Sequence, residues 1–289
     1  MRSLMRQWKD VTICDNFMFQ HIMLNKEICK RFLELLLGKE IADIEYPLNE
    51  KQIDIKKQSK SVRLDVYVTD TKGNKYDVEM QTTDYPNNEL SKRTRYYQSM
   101  IDADTLKKGK HYSELKETYI IFVCTFDPFK KGRRLYTFRN YCKEDKKLEM
   151  GDGSTKIFLN CHGKGDKIDK DVEAFLNLMK GRKPKGKFAK SIEDEFVKLS
   201  ENKEMEVAYM TYAEALYEER RLGVSEGRAE GEAMGEARGM AKGRAENREI
   251  TAISMLKDDM PVKLIMKYTQ LSMATIKKLA KNIGVAVVM

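Results

Sequence analysis

Asp65, Glu79 and Gln81 are the residues whose types and spacing point most directly to chemistry. Asp65 lies in the alternating run 61–69 (SVRLDVYVT), and Glu79 and Gln81 lie in the run 76–81 (YDVEMQ). Asp70, Thr71, Lys72, Gly73 and Asn74 between them are turn residues, so the two runs are expected to pair as a hairpin. Side chains alternate faces along a strand. Val62, Leu64, Val66 and Val68 then share one face of the first run, and Tyr76, Val78 and Met80 share one face of the second. Asp65, Asp77, Glu79 and Gln81 fall off the main apolar face and converge near the strand ends. A hard divalent cation such as Mg²⁺ takes a few such oxygens plus waters. Held there, it could acidify a water and stabilise charge building on a scissile phosphate. The next segment carries Lys92, Arg93, Arg95, Tyr96 and Tyr97, side chains able to grip a phosphate backbone. The plainer expectation for the same acids is solvated surface on the outward face of a hairpin.

The rest of the composition narrows the chemistry. Three histidines and five scattered cysteines, with no CxxC pair, argue against a histidine-rich metal centre, a zinc site or a disulfide framework. Catalysis would have to lean on carboxylates. No run approaches the ~18 apolar residues of a membrane span, and the first residues lack the apolar core of a signal peptide. A cytoplasmic protein with reduced thiols and no membrane association is expected. The 289 residues carry a formal charge of +9, modest but of the sign a polyanionic partner requires.

The elements that must position the acids are legible as a coarse pattern. Asp15 precedes apolar residues at helical steps from Phe17 to Leu37, stopped by Gly38. The run Ile41 to Lys57 alternates weakly, with Ile53 and Ile55 flanking Asp54, and reads as strand. Asn88 to Leu106 returns to helix. Thr118 to Phe126 is continuously apolar and β-branched, the mark of a strand buried on both faces. Leu135 to Tyr141 and Lys156 to Asn160 are further strands, and Val172 to Met179 a helix. Together these predict an α/β core over residues 1–180.

Composition then changes. Residues 181–190 lie in a stretch rich in Lys and Arg that reads as a basic linker, and Ser191 with Asp194 resembles a capping box opening a helix. Over 191–250 a helical segment is expected in which Gly223, Gly227, Gly231, Gly235, Gly239 and Gly243 recur every fourth residue. The small-residue stripe drifts by roughly 40° per repeat, and six interior glycines cost on the order of 6 kcal/mol relative to alanine. The segment is either a flexible connector or a helix flat enough to bring a second copy close, giving a homo-oligomer, most simply a dimer. Residues 251–289 form a small helical unit. Its turn Tyr268–Thr269–Gln270–Leu271–Ser272 is like that of a helix-turn-helix, although a simple packing pair is the more common origin of such a pattern.

The core motifs, Arg63-Leu64-Asp65-Val66-Tyr67-Val68, Gly73, Tyr76-Asp77-Val78-Glu79-Met80-Gln81 and Arg93-x-Arg95-Tyr96-Tyr97, resemble the recombination-promoting nuclease (Rpn)/transposase family of the PD-(D/E)XK nuclease superfamily. The resemblance covers roughly residues 10–180, and the glycine-alanine tail is similar to members of the group. It implies a restriction-endonuclease-like core, a mixed sheet flanked by helices, followed by the long Gly/Ala helix and the small C-terminal unit. It further implies a divalent-metal-dependent DNA endonuclease of the mobile-element or genome-defence type, using Mg²⁺ or another ion such as Mn²⁺ or Ca²⁺. Asp65 and Glu79 would then be the acidic metal ligands, with the Met80 carbonyl completing the shell. Gln81 stands where the superfamily has lysine, a departure that removes a positive charge and leaves reliance on nearby Arg or Lys. Asp15 is either a further ligand or the cap of its helix. Lys92, Arg93, Arg95 and Tyr96 are the substrate-contact candidates, whereas Tyr97 could simply pack on the sheet. The alternative is a weak or inactive descendant, a DNA-binding or oligomerising module that keeps the fold. No third acid stands at a spacing that would suit a DDE-type transposase.

Overall fold

The computed structural model describes residues 6–47, 52–53, 62–165 and 167–288. They divide into two compact units, Met1–Ala213 and Glu214–Met289. The first unit opens with helices α1 (Asn16–Met23) and α2 (Lys26–Leu37). The single expected helix is thus two, because Asn25 caps a new start by accepting from the Ile28 N–H. Gly38 ends α2 with φ +62°, a left-handed cap that suits a residue without Cβ.

Among the described residues, eight strands follow in chain order with the remaining helices. They are β1 (Ile44–Glu45), β2 (Gln52–Ile53), β3 (Val62–Arg63), β4 (Val66–Asp70), β5 (Lys75–Gln81), β6 (Thr118–Cys124), β7 (Leu135–Phe138) and β8 (Ser154–Asn160). Helix α3 (Glu89–Thr105) lies between β5 and β6, and α4 (Lys170–Met179) and α5 (Gly186–Ser200) follow β8. Six strands form one mixed sheet in the order β1-β4-β5-β6-β8-β7. The centre, β5-β6-β8, is parallel, and β4 and β7 run antiparallel at its flanks. Of the weakly alternating run 41–57, Ile44–Glu45 and Gln52–Ile53 are strand, while Asp54 and Ile55 lie outside the described residues.

Both sheet faces are covered, which is why β6 is buried at every position. On one face Val66, Val68, Tyr76, Val78, Met80, Tyr119 and Ile121 pack with α1, α2, α4 and α5. On the other, Tyr67, Ile120, Phe122, Cys124 and Phe158 pack under Leu90, Tyr97, Met100 and Ile101 of α3. Val62 and Leu64 belong to this second layer, not to the layer of Val66 and Val68. The alternation expected across 62–68 therefore breaks at Asp65, where the chain bends and the β4 ladder with β5 begins only at Val66↔Val78.

The stretch expected to be a basic linker turns helical at Gly186, and Phe188, Ala189 and Ile192 are buried against the core. Ser191 is consequently inside α5 instead of opening a helix, and its hydroxyl donates to the Phe188 carbonyl. An apolar face recurring at 188, 189 and 192 outweighs the local basic composition. Helix α6 (Lys203–Lys257) then runs for 55 residues and contains the glycine repeat. In the second unit, the end of α6 packs with α7 (Val262–Thr269) and α8 (Met273–Ile283) around Ala252, Leu256, Val262, Ile265, Ile276 and Ala280. All five cysteines are free thiols, and among the described residues no helix is long and apolar enough to cross a membrane.

Candidate active site

The break at Asp65 builds the site. Released from the ladder, the Asp65 N–H donates to Glu79 Oε1 at 3.1 Å, so a side chain of β5 replaces a backbone partner. Alternation along β5 does the rest. Tyr76, Val78 and Met80 enter one core layer, and Asp77, Glu79 and Gln81 enter the other side. That side is not solvated surface, because α3 covers it. Asp77 is 0% exposed, Glu79 1% and Gln81 5%.

A cavity of about 270 Å³ at this end of the hairpin is lined by Asn16, Arg63, Asp65, Glu79, Met80, Gln81, Thr82, Thr83, Tyr85, Arg93 and Tyr97. Arg93 reaches into it from the first turns of α3. Its guanidinium pairs with Glu79 Oε2 through Nη2, donates from Nη1 to Gln81 Oε1 at 2.9 Å and from Nε to the Tyr97 hydroxyl at 3.0 Å. The Gln81 amide is tied at its other end, with Nε2 donating to the Thr83 carbonyl at 2.6 Å. Gln20, one turn beyond Asn16 on α1, donates to Asp65 Oδ1 at 2.8 Å.

Buried carboxylates resist ionisation. Burial, opposed by the Gln20 hydrogen bond and the charges of Arg93 and Arg63, raises Asp65 to about 6. Burial and the charge of Asp65 raise Glu79 to about 8, against the pull of Arg93. Asp77 is driven well above its ordinary value by burial and by the carboxylates of Glu79 and Asp65, and neither of its oxygens has a hydrogen-bond partner.

The donor set fits a hard divalent cation. Asp65 and Glu79 offer carboxylate oxygens, with a third acid unsatisfied beside them. The peptide of Met80 is turned the same way. Gln81 O accepts from the Thr125 N–H at 3.1 Å on the β6 side, and successive peptides of a strand face opposite edges. Met80 therefore faces the edge that β4 has left, where its N–H bonds the Asp65 carboxylate. Among the described residues no group of three or more His, Cys, Asp and Glu side chains is arranged for a metal, so two carboxylates and a carbonyl are the set available.

Other candidates from the sequence lie elsewhere. Asp15 does not line the cavity. It precedes α1 but caps no helix N–H, and its Oδ2 instead accepts from Arg6, the Thr12 N–H and the Thr12 hydroxyl at 2.7–2.9 Å. Lys92 and Arg95 are exposed on α3 outside the cavity, and Tyr96 packs half-buried against the core. Tyr97 does more than pack, since its hydroxyl fixes Arg93. Sequence reasoning missed Gln20, Asn16 and Arg63. The i,i+4 spacing of Asn16 with Gln20, and of Arg93 with Tyr97, was the available signal.

A mixed sheet flanked by helices, with an aspartate at a strand bend and Glu-x-Gln on the neighbouring strand, is a PD-(D/E)XK nuclease-like core. A family model described as PD-(D/E)XK nuclease family transposase matches residues 16–228, and the chain belongs to that family. Nucleases of this kind generally use divalent metal ions and act on DNA. No curated protein and no solved structure gives a significant match.

Proposed function

We propose that the chain is a Mg²⁺-dependent DNA endonuclease that hydrolyses phosphodiester bonds at the cavity between β4, β5 and α3. The observation that carries this is the joint presence of Asp65 and Glu79 in one cavity with a half-buried guanidinium. Asp65, Glu79 and the Met80 carbonyl would hold the ion, which when bound supplies an acidified water and charge neutralisation at the phosphate. The chain's own residues do the positioning. Gln20 fixes the Asp65 carboxylate. Gln81 is held at both ends, so it serves to hold Arg93, and Arg93 supplies the cation that glutamine in place of lysine lacks. Tyr97 sets the guanidinium plane. Lys92 and Arg95, exposed on the same helix, are suited to phosphate contacts beyond the cavity.

Five free thiols support a cytoplasmic setting. The glycine stripe of α6 supports self-association, because a Cβ added at any of the six positions meets nothing within 4 Å. Replacing Gly231 and Gly235 with isoleucine should then change the mass measured by light scattering. Plasmid nicking with Mg²⁺ tests the enzyme. Wild type should convert supercoiled to open-circular DNA, and Asp65→Ala or EDTA should abolish this. Equal conversion by wild type and Asp65→Ala would refute the proposal.

A further inference from the structure

The nuclease cavity leaves unexplained the second unit's last two helices. Met260 to Met289 contain five lysines, Lys263, Lys267, Lys277, Lys278 and Lys281, and no Asp or Glu. All five are exposed, and among the described residues none pairs with a carboxylate. This differs from α6, where Arg228 pairs with Glu232 and Lys242 with Glu246 at i,i+4. A surface with unneutralised charge of one sign asks for a partner of the other sign.

The geometry is specific as well. Helix α7 ends at Gln270, which takes a left-handed φ of +58°, a conformation that a residue other than glycine adopts at a cost. Arg248 donates to Gln270 Oε1 at 2.8 Å and steadies that corner. Leu271 tucks towards the core, and Ser272 caps α8 by accepting from the Thr275 N–H. A three-residue connection thus sets two short helices against the end of α6. Ile265 and Thr269 of α7 and Ile276 and Ala280 of α8 are buried. That burial turns Met273, Ala274, Lys277, Lys278 and Lys281 outward on one side of α8, while Lys263 and Lys267 mark α7. Two short helices joined by a three-residue turn over a shared core have the connectivity of a helix-turn-helix, in which the second helix enters a groove and the first lies across the backbone.

We infer that the second unit is a duplex-DNA-binding module of helix-turn-helix type, with the Lys277/Lys278/Lys281 face of α8 set against the phosphates. The partner is double-stranded DNA rather than an acidic protein, because three lysines recur at spacings 1 and 3 on one face of α8, a helix slim enough for the major groove. A second attachment point on the same chain raises the local concentration of DNA for the first unit. The binding step does not depend on the nuclease reading.

The test is fluorescence anisotropy of a duplex of about 30 base pairs with the full chain carrying Asp65→Asn, in EDTA, over a series of KCl concentrations. Cleavage then plays no part, and absence of nicking in the separate plasmid assay leaves the measurement intact. Lys277→Gln/Lys278→Gln/Lys281→Gln should weaken binding about tenfold near physiological salt and lower the slope of log K against log salt by about two to three. The corresponding arginine triple variant should keep both. Glutamine retains helix propensity, and an unchanged melting temperature confirms folding. An unchanged affinity and slope in the glutamine variant would overturn the inference. A changed subunit number with an unchanged slope would also overturn it and assign the face to protein contact.

Discussion

The β4–β5 hairpin buries acids at both ends, and the two ends behave oppositely. At the turn, Asp70 accepts from the N–H groups of Lys72 and Asn74, the Asn74 side-chain amide and the Tyr76 hydroxyl, all at 2.8–2.9 Å. Burial pushes its pKa up, but these donors outweigh it and hold the carboxyl below its ordinary value. At the open end Glu79 accepts from Arg93 and the Asp65 N–H, Asp77 has no partner, and both are raised. The open-end acids are the more deeply buried, they repel one another, and each has fewer donors than Asp70. A carboxylate given four donors fastens a turn, whereas acids that crowd one another with fewer donors concentrate negative charge beside a single guanidinium.

The sharpest way to break this contrast is to neutralise one acid at each end. Glu79→Gln should cut the nicking rate on the order of a thousandfold, the scale of losing several kcal/mol of charge stabilisation, without lowering the melting temperature at pH 8. Asp70→Asn, assayed where it is folded, should nick at a near wild-type rate. Next in size, Asp70→Ala leaves buried donors unmatched and should cost about 3 kcal/mol in urea unfolding. A cost below about 1 kcal/mol would mean that the turn is fastened by something else. Asp77→Val, similar in volume and suited to a strand, should gain about 1 kcal/mol at pH 8 by removing an unpartnered acid; a loss of stability would show that Asp77 has a partner in solution.

The same contrast can be read from the pH profile of the metal-free protein. Asp65 near 6 and Glu79 near 8 bind protons in the folded state at pH values where the unfolded chain has released them. The slope of unfolding free energy with pH is then negative, with stability greatest below the ordinary carboxylate range and lost as pH rises through about 8. The melting temperature should fall between pH 5 and pH 8.5, and about 10 mM Mg²⁺ should reverse the fall. Asp70 has the opposite sign, its contribution being lost only as pH falls through its lowered value.

Much of this arrangement was legible in the chain. The two strand runs, the turn residues between them and the continuous apolar β6 follow from periodicity and turn chemistry, and the Asp65/Glu79/Gln81 set follows from their placement on those runs. The bend at Asp65 was not legible, because Val62 to Val68 alternates without interruption and the partner that breaks the ladder, Glu79 Oε1, is fourteen residues away. Nor was the burial of Glu79: alternation says which side a residue faces, not whether a helix will cover that side. By sequence alone Arg93 groups with Lys92 and Arg95 as a cationic cluster. On a helix, three charged neighbours point in three directions, and only the one with Tyr97 at i+4 turns inward.

The inward turn of Arg93 has a consequence for how the protein comes to be. A pocket of unbalanced acids would ordinarily hold up collapse of the core until an ion arrived. Here the chain brings its own counter-charge on the helix that closes over the sheet, so the nuclease unit can reach its native form in chelator. On the proposed function, ion loading would then be a late and reversible event, and the protein could be made, stored and moved as a finished but unarmed body.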